Sequence, residues 1–77
     1  MITTLADLPF GRDAVLGELA LPPDDAARLM ELGFLPGSRV VAVRAAPGGD
    51  PRVFRVDGAE VALRRETARH LLLRALP

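Results

Sequence analysis

A chain of 77 residues forms one domain, residues 1–77, with no room for a second core. Lacking cysteine, it has no disulfides, thiolate zinc sites or thiol chemistry, and its apolar residues are too scattered for the run of about 20 that crosses a bilayer. Ten arginines, no lysine and ten acids give zero net charge, split into six acids and two arginines over residues 1–37 and four acids and eight arginines over residues 38–77. Such an asymmetry can orient a partner or a second copy of the chain.

The opening MITTLADLPFG lacks the basic and apolar regions of a secretory signal, so a cytoplasmic location is expected. Thr3 or Thr4 can cap a short helical turn over residues 5–8, ended by Pro9 and Gly11. Residues 13–19 read as a first strand, weakened by Gly17. After Pro22-Pro23, Asp24 or Asp25 is the expected N-cap of a helix running through Leu32, with acids at its positive end. Ala26, Leu29, Met30 and Gly33 recur at i, i+3, i+4 and i+7, which predicts one buried face. Gly33 suits the left-handed position that closes a helix, and Pro36 prevents continuation.

Pro36-Gly37 turns the chain into a second strand over residues 39–45. Pro47-Gly48-Gly49-Asp50-Pro51 reads as a hairpin loop, followed by a third strand over residues 52–56. Asp57-Gly58 is a two-residue hairpin turn into a fourth strand over residues 60–64. Residues 65–68 form a short helical turn. Residues 69–76 are expected to be a last strand, because a five-stranded barrel needs a closing strand; a single helix over residues 65–76 is the alternative.

Alternation assigns the faces. Phe54 and Val56 point inward, with Val53 and Arg55 on the other face. Val61 and Leu63 point in, with Glu60, Ala62 and Arg64 out. Leu71 and Leu73 point in, with His70, Leu72 and Arg74 out. The expected fold is mainly β with a helical insert, a small SH3-like five-stranded barrel. Leu29, Leu32, Gly33, Pro36, Gly37 and Gly58 are its expected structural residues.

Catalytic sets are missing. Ser38 is the only serine, and the 47–51 loop lacks the lysine and following helix of a phosphate cradle. No catalytic residue and no cofactor are expected. His70 is the only histidine, while a transition-metal site wants several nitrogen and oxygen ligands. No metal site is assigned within one chain. His70 remains a weak candidate, able to share a metal between symmetric copies. Asp24 and Asp25 diverge around the helix, so capping suits them better than ligation. Arg28 and Glu31, three residues apart, are expected to pair on the surface, with a contact to a partner or to the Pro36-Gly37 turn as the alternative for Glu31. Eight arginines in the second half suggest RNA, but zero net charge and only three phenylalanines speak against it.

What remains is a protein-binding face. Val53 and Leu72, joined by Val41 or Val43, would form an apolar cluster rimmed by Arg44, Arg52 and Arg55. A second candidate is the groove near Phe34, Leu35 and the 47–51 loop, where barrels of this kind hold peptides.

Three stretches in register carry a resemblance: Arg28-Leu29-Met30-Glu31-Leu32-Gly33-Phe34-Leu35-Pro36-Gly37, the loop Pro47-Gly48-Gly49-Asp50-Pro51, and Val61-Ala62-Leu63-Arg64-Arg65-Glu66-Thr67-Ala68. Together with Leu5-Ala6-Asp7-Leu8-Pro9 and the stretch 68–73, they resemble the FeoA family over essentially the whole chain. The resemblance implies an SH3-like barrel with a helical insert. It also implies a non-enzymatic accessory role in bacterial ferrous-iron uptake. The expected partner is the inner-membrane ferrous-iron transporter, through its cytoplasmic GTPase domain, with no membrane insertion and no nucleic acid. On this reading the protein is cytoplasmic, or peripheral at the inner membrane through its partner, and homo-oligomerisation stays open. The same fold occurs as a domain of some iron-dependent repressors, but the chain starts at Met1 without a DNA-binding segment, which favours the stand-alone role. The alternatives are a transition-metal-binding or metal-sensing protein and, third, an RNA-binding barrel.

Overall fold

In the computed structural model, which describes residues 3–74, a 3-10 turn at Leu5–Asp7 precedes strand β1 (Asp13–Leu19) and helix α1 (Pro23–Glu31). Strand β2 (Arg39–Ala45), a 3-10 turn at Pro47–Gly49, strands β3 (Arg52–Val56) and β4 (Ala59–Leu63), a short helix α2 (Arg65–Ala68) and strand β5 (Leu71–Leu73) complete the chain. Strands one to three fall where the sequence puts them, and strand four starts one residue earlier. The last strand is shorter than expected: it spans three residues after the α2 turn, and residues 75 and 76 of the predicted strand lie outside the described residues.

Neither expected side-chain cap forms. Thr4 precedes the first turn but makes no capping bond, and its Oγ1 is buried with no partner among the described residues. Pro22 is the N-cap of α1, and Pro23 occupies the first helical position. A proline there loses nothing, because its missing N–H would be an orphan in any case. Asp24 and Asp25 instead lie in the first turn, where they face the positive end of the helix dipole.

The strands form one antiparallel sheet in the order β4-β3-β2-β1-β5. All five expected strands are present, but β5 pairs with β1 and not with β4, so the ladder does not close. Gly17 explains how one strand serves two neighbours. Residues 13–15 of β1 pair with β2, residues 16–19 pair with β5, and the register shifts between Leu16 and Glu18. A β-carbon at Gly17 would sit 3.3 Å from the Leu72 carbonyl oxygen and from Arg74. The residue that weakens the strand in sequence thus permits its close crossing with β5.

The core lies between the inner face of this sheet, α1 and the N-terminal turn. Leu5, Leu8, Leu16, Phe34, Val40, Phe54, Val56 and Leu71 are its most buried large side chains. Phe54, Val56, Leu63 and Leu71 face inward as alternation requires, with Val61 and Leu73 packed against the same cluster. On α1, Ala26 and Leu29 are buried, but Met30 is 37% exposed and Leu32 is 46% exposed. The buried face is narrower than expected: it centres on Ala26 and Leu29, and Met30 lies about 100° around the helix from Leu29. The chain leaves the helix at Gly33 with φ +108°. There a β-carbon would lie 3.1 Å from the Asp57 β-carbon, so Gly33 is also the contact between α1 and the β3–β4 turn. That turn is the expected two-residue hairpin, with Asp57 at φ 52° and Gly58 at φ 78°. Pro36-Gly37 is tied to β1 by the Gly37 N–H, which donates to the Leu16 carbonyl at 2.7 Å.

Candidate docking surface

The outer face of β2, β3 and β4 follows from the register. Asp13, Val41, Arg55 and Glu60 lie in one row across four strands, and Arg44, Val53 and Ala62 in the next. Val43 occupies the bulge that shifts the β2 register between Ala42 and Arg44. Val41, Val43 and Val53 are each half-buried, which leaves a narrow apolar strip on the open side of the sheet.

Charge flanks that strip. Arg44 Nη2 donates to Glu60 Oε1 at 2.8 Å, and Arg55 Nη2 donates to Glu60 Oε2 at 3.1 Å. One carboxylate therefore holds two guanidinium groups on neighbouring strands. These two hydrogen bonds hold the Glu60 carboxyl below the ordinary glutamate range. At the other side of the row, Arg39 Nη1 lies 3.3 Å from Asp13 Oδ2. Arg44 and Arg55 stay exposed, as a rim requires.

Arg52 does not belong to this rim. It is 5% exposed and points into the molecule, on the same face as Phe54 and Val56. Its Nη1 donates to the Leu5 and Ala6 carbonyls at 2.7 and 2.8 Å, and its Nη2 donates to the Leu8 carbonyl at 2.6 Å. The guanidinium carbon sits 4.7 Å from the Phe10 ring centroid and 5.7 Å from that of Phe54. Burial lowers the Arg52 pKa, nearby Arg65 lowers it further, and Asp7 opposes them. The side chain is a staple for the N-terminal turn. The parity of Phe54 and Val56 already placed Arg52 inward, and its positive charge hid that signal.

Leu72 does not join Val53. It lies on β5, separated from β3 by β2 and β1, and pairs with Glu18 while bridging to Thr4. Phe34 is fully buried, so it supports the core and cannot line a docking groove, whereas Leu35 is 46% exposed. The opening beside the 47–51 loop, ≈ 510 Å³, is lined by residues that include Pro9, Phe10, Gly49, Arg52 and Arg65, but not by Phe34 or Leu35. His70 is half-buried, and its Nε2 accepts from Arg69 Nε at 3.3 Å. Among the described residues no three histidine, aspartate or glutamate side chains gather as a metal would need. Arg28 and Glu31 form no ion pair.

The family model for the FeoA domain matches residues 3–75. The chain belongs to the FeoA family. Solved structures agree with this assignment. A FeoA protein from Chlorobium tepidum superposes with a TM-score of 0.87 at 31% identity, over 96% of this chain and 70% of that one. FeoA from Stenotrophomonas maltophilia, solved with zinc, gives 0.80 at 35% identity over 95% and 91%. It is described as a prokaryotic SH3 domain protein and a candidate ferrous iron transport activating factor. Iron(II) transport protein A from Clostridium thermocellum gives 0.87 at 27% identity, over 95% of this chain and 45% of that one. A comparison with curated proteins finds no match. The family is associated with ferrous iron transport, and the SH3-like fold is the expected one. No helix among the described residues is long and apolar enough to cross a membrane.

Proposed function

We propose that the chain is a non-enzymatic accessory protein of ferrous-iron uptake, which binds the cytoplasmic GTPase-containing part of the transporter by protein–protein contact. Family membership carries the transport role. The outer sheet face supports the mode of binding, since Val41, Val43 and Val53 form an apolar strip with the Arg44–Glu60–Arg55 cluster beside it. A strip of this kind gives a desolvated centre and a charged rim, the usual anatomy of a protein interface. Any effect on uptake arises from tighter binding to one nucleotide-linked conformation of the partner, and couplings of that sort are about 1–3 kcal/mol. The protein would sit at the inner membrane only through this partner.

Calorimetric titration of the transporter's cytoplasmic GTPase domain with the wild-type chain and with Val53→Glu tests the reading. The substitution places a carboxylate at the centre of the strip without entering the core. Affinity is expected to fall at least tenfold, about 1.4 kcal/mol, while the melting temperature stays close to wild type. Unchanged affinity in a folded Val53→Glu protein rules the strip out.

A further inference from the structure

The sheet has two edges, and the fold treats them differently. The β5 edge is covered: Thr4 bridges to Leu72, and the Leu73 N–H donates to the Thr3 carbonyl at 2.8 Å. The β4 edge has no such cover among the described residues. The two-residue turn at Asp57-Gly58 fixes which β4 groups point off that edge. Val56 and Ala59 flank the turn and form a hydrogen-bonded pair, so pairing then alternates along the hairpin. Phe54 with Val61 and Arg52 with Leu63 are hydrogen-bonded pairs, while Arg55 with Glu60 and Val53 with Ala62 are not. The N–H and C=O groups of Glu60 and Ala62 are therefore directed away from β3, off the open edge.

Helix α1 runs alongside that edge. Its C-terminal end meets the β3–β4 turn at Gly33, and its middle, at Asp25, Arg28 and Leu29, faces the end of β4. Between helix and strand lies a groove of ≈ 350 Å³, with Leu21, Leu29 and Leu63 among its apolar lining and Arg28, Arg64 and Asp25 among its charges. Arg28 and Arg64 make no ion pair with any described residue. A strand edge beside a helix, with a pocket between them, is the arrangement that accepts an extended peptide as an added strand.

We propose that β4 and α1 form a β-augmentation site for an extended segment of a partner protein, with a large apolar residue in the groove and an acidic residue beside Arg28 and Arg64. Backbone groups of Glu60 and Ala62 supply the ladder bonds. The groove supplies side-chain selection, and its excess of arginine over Asp25 supplies the acidic preference. A second copy of this chain is a poor occupant. Antiparallel β4–β4 pairing with full overlap puts Ala59, the smallest side chain on the inner face, opposite Leu63, leaving the groove unfilled. The site adjoins the Val53 strip, since Ala62 pairs with Val53 and Glu60 belongs to the flanking cluster, but it uses the backbone of the β4 edge and not the outer-face side chains.

The test is selection of a phage-displayed library of random twelve-residue peptides against the intact chain, followed by hydrogen exchange with the best peptide made synthetically. Enriched peptides are expected to carry a large apolar residue with an acidic residue two positions away, on the same face of the added strand. On binding, the Glu60 and Ala62 amides should slow their exchange at least tenfold. Ala62→Pro removes one edge N–H that faces away from β3 and should weaken binding at least tenfold. No enrichment overturns the proposal, as does enrichment that survives Ala62→Pro in a protein with a wild-type melting curve. Concentration-dependent protection of Glu60 and Ala62 without peptide would assign the edge to a second copy and overturn it equally.

Discussion

Arg52 is a charge held in the core by three carbonyl oxygens. Each of those oxygens lies in the N-terminal turn, so one side chain satisfies backbone groups that no ladder reaches. Arg52→Leu leaves the Leu5, Ala6 and Leu8 carbonyls without this donor. Chemical denaturation should show a loss of about 3–5 kcal/mol, with the N-terminal turn exchanging amides first. A loss below about 1 kcal/mol would mean that the staple is dispensable. Glu60 is the second residue with a chemical signature. Its depressed pKa means that its contribution to stability is complete above the unfolded value of about 4.3 and disappears as pH falls through the lower folded value. A carbon-13 titration of the Glu60 carboxyl should therefore give a midpoint below that of an ordinary glutamate. Arg44→Ala and Arg55→Ala should each move it up, as should added salt. A midpoint at the ordinary value, unmoved by either substitution, would show that the two guanidinium groups do not hold the carboxylate in solution.

At the scale of elements, helix α1 and its exit carry the junction that the sequence makes plainest. Leu29→Ala should open a cavity against the core and cost about 2–5 kcal/mol by denaturant melt. Gly33→Val combines φ +108° with a β-carbon 3.1 Å from that of Asp57, so it should destabilise more than Gly58→Ala, where a β-carbon meets nothing. Equal melting temperatures for the two variants would contradict the packing at Gly33. Strand positions and the Asp57-Gly58 turn were legible because period-two alternation and turn chemistry are local signals. The caps at Thr4 and Asp24 were not, because a cap depends on the path by which the chain enters the turn. Pro22 and Pro23 impose that path on α1. Met30 was misplaced for a related reason. The helical repeat orders residues around an axis, but how wide an arc of the helix the core covers is a tertiary property, and here it takes Leu29 and leaves Met30 at its margin.

For the whole molecule, the decisive difference from expectation is an open sheet. Hydrophobic patterning counts five strands but does not say whether the last one closes a ladder. The bulge at Gly17 sends β5 to β1 and leaves β4 at an edge. The candidate docking face was partly readable. Val53, Arg44 and Arg55 share the outer face because alternation and register place them there. Leu72 was assigned to the same cluster because parity gives a face but not a strand order. Phe34 and Leu35 were paired as neighbours in sequence, yet one is buried and the other exposed.

The central claim is that this FeoA-family chain acts by docking onto the transporter. The most direct measurement is an amide-shift NMR titration of the chain with the transporter's cytoplasmic GTPase domain, with and without nucleotide. A parallel titration of the free chain with ferrous iron serves as its control. The account predicts saturable shifts on the outer face around Val41, Val53 and Glu60, stronger in one nucleotide state, and no saturable shifts with iron. An unperturbed spectrum with the GTPase domain, beside sharp saturable shifts around His70 with iron, would contradict it and make the chain a metal-binding protein.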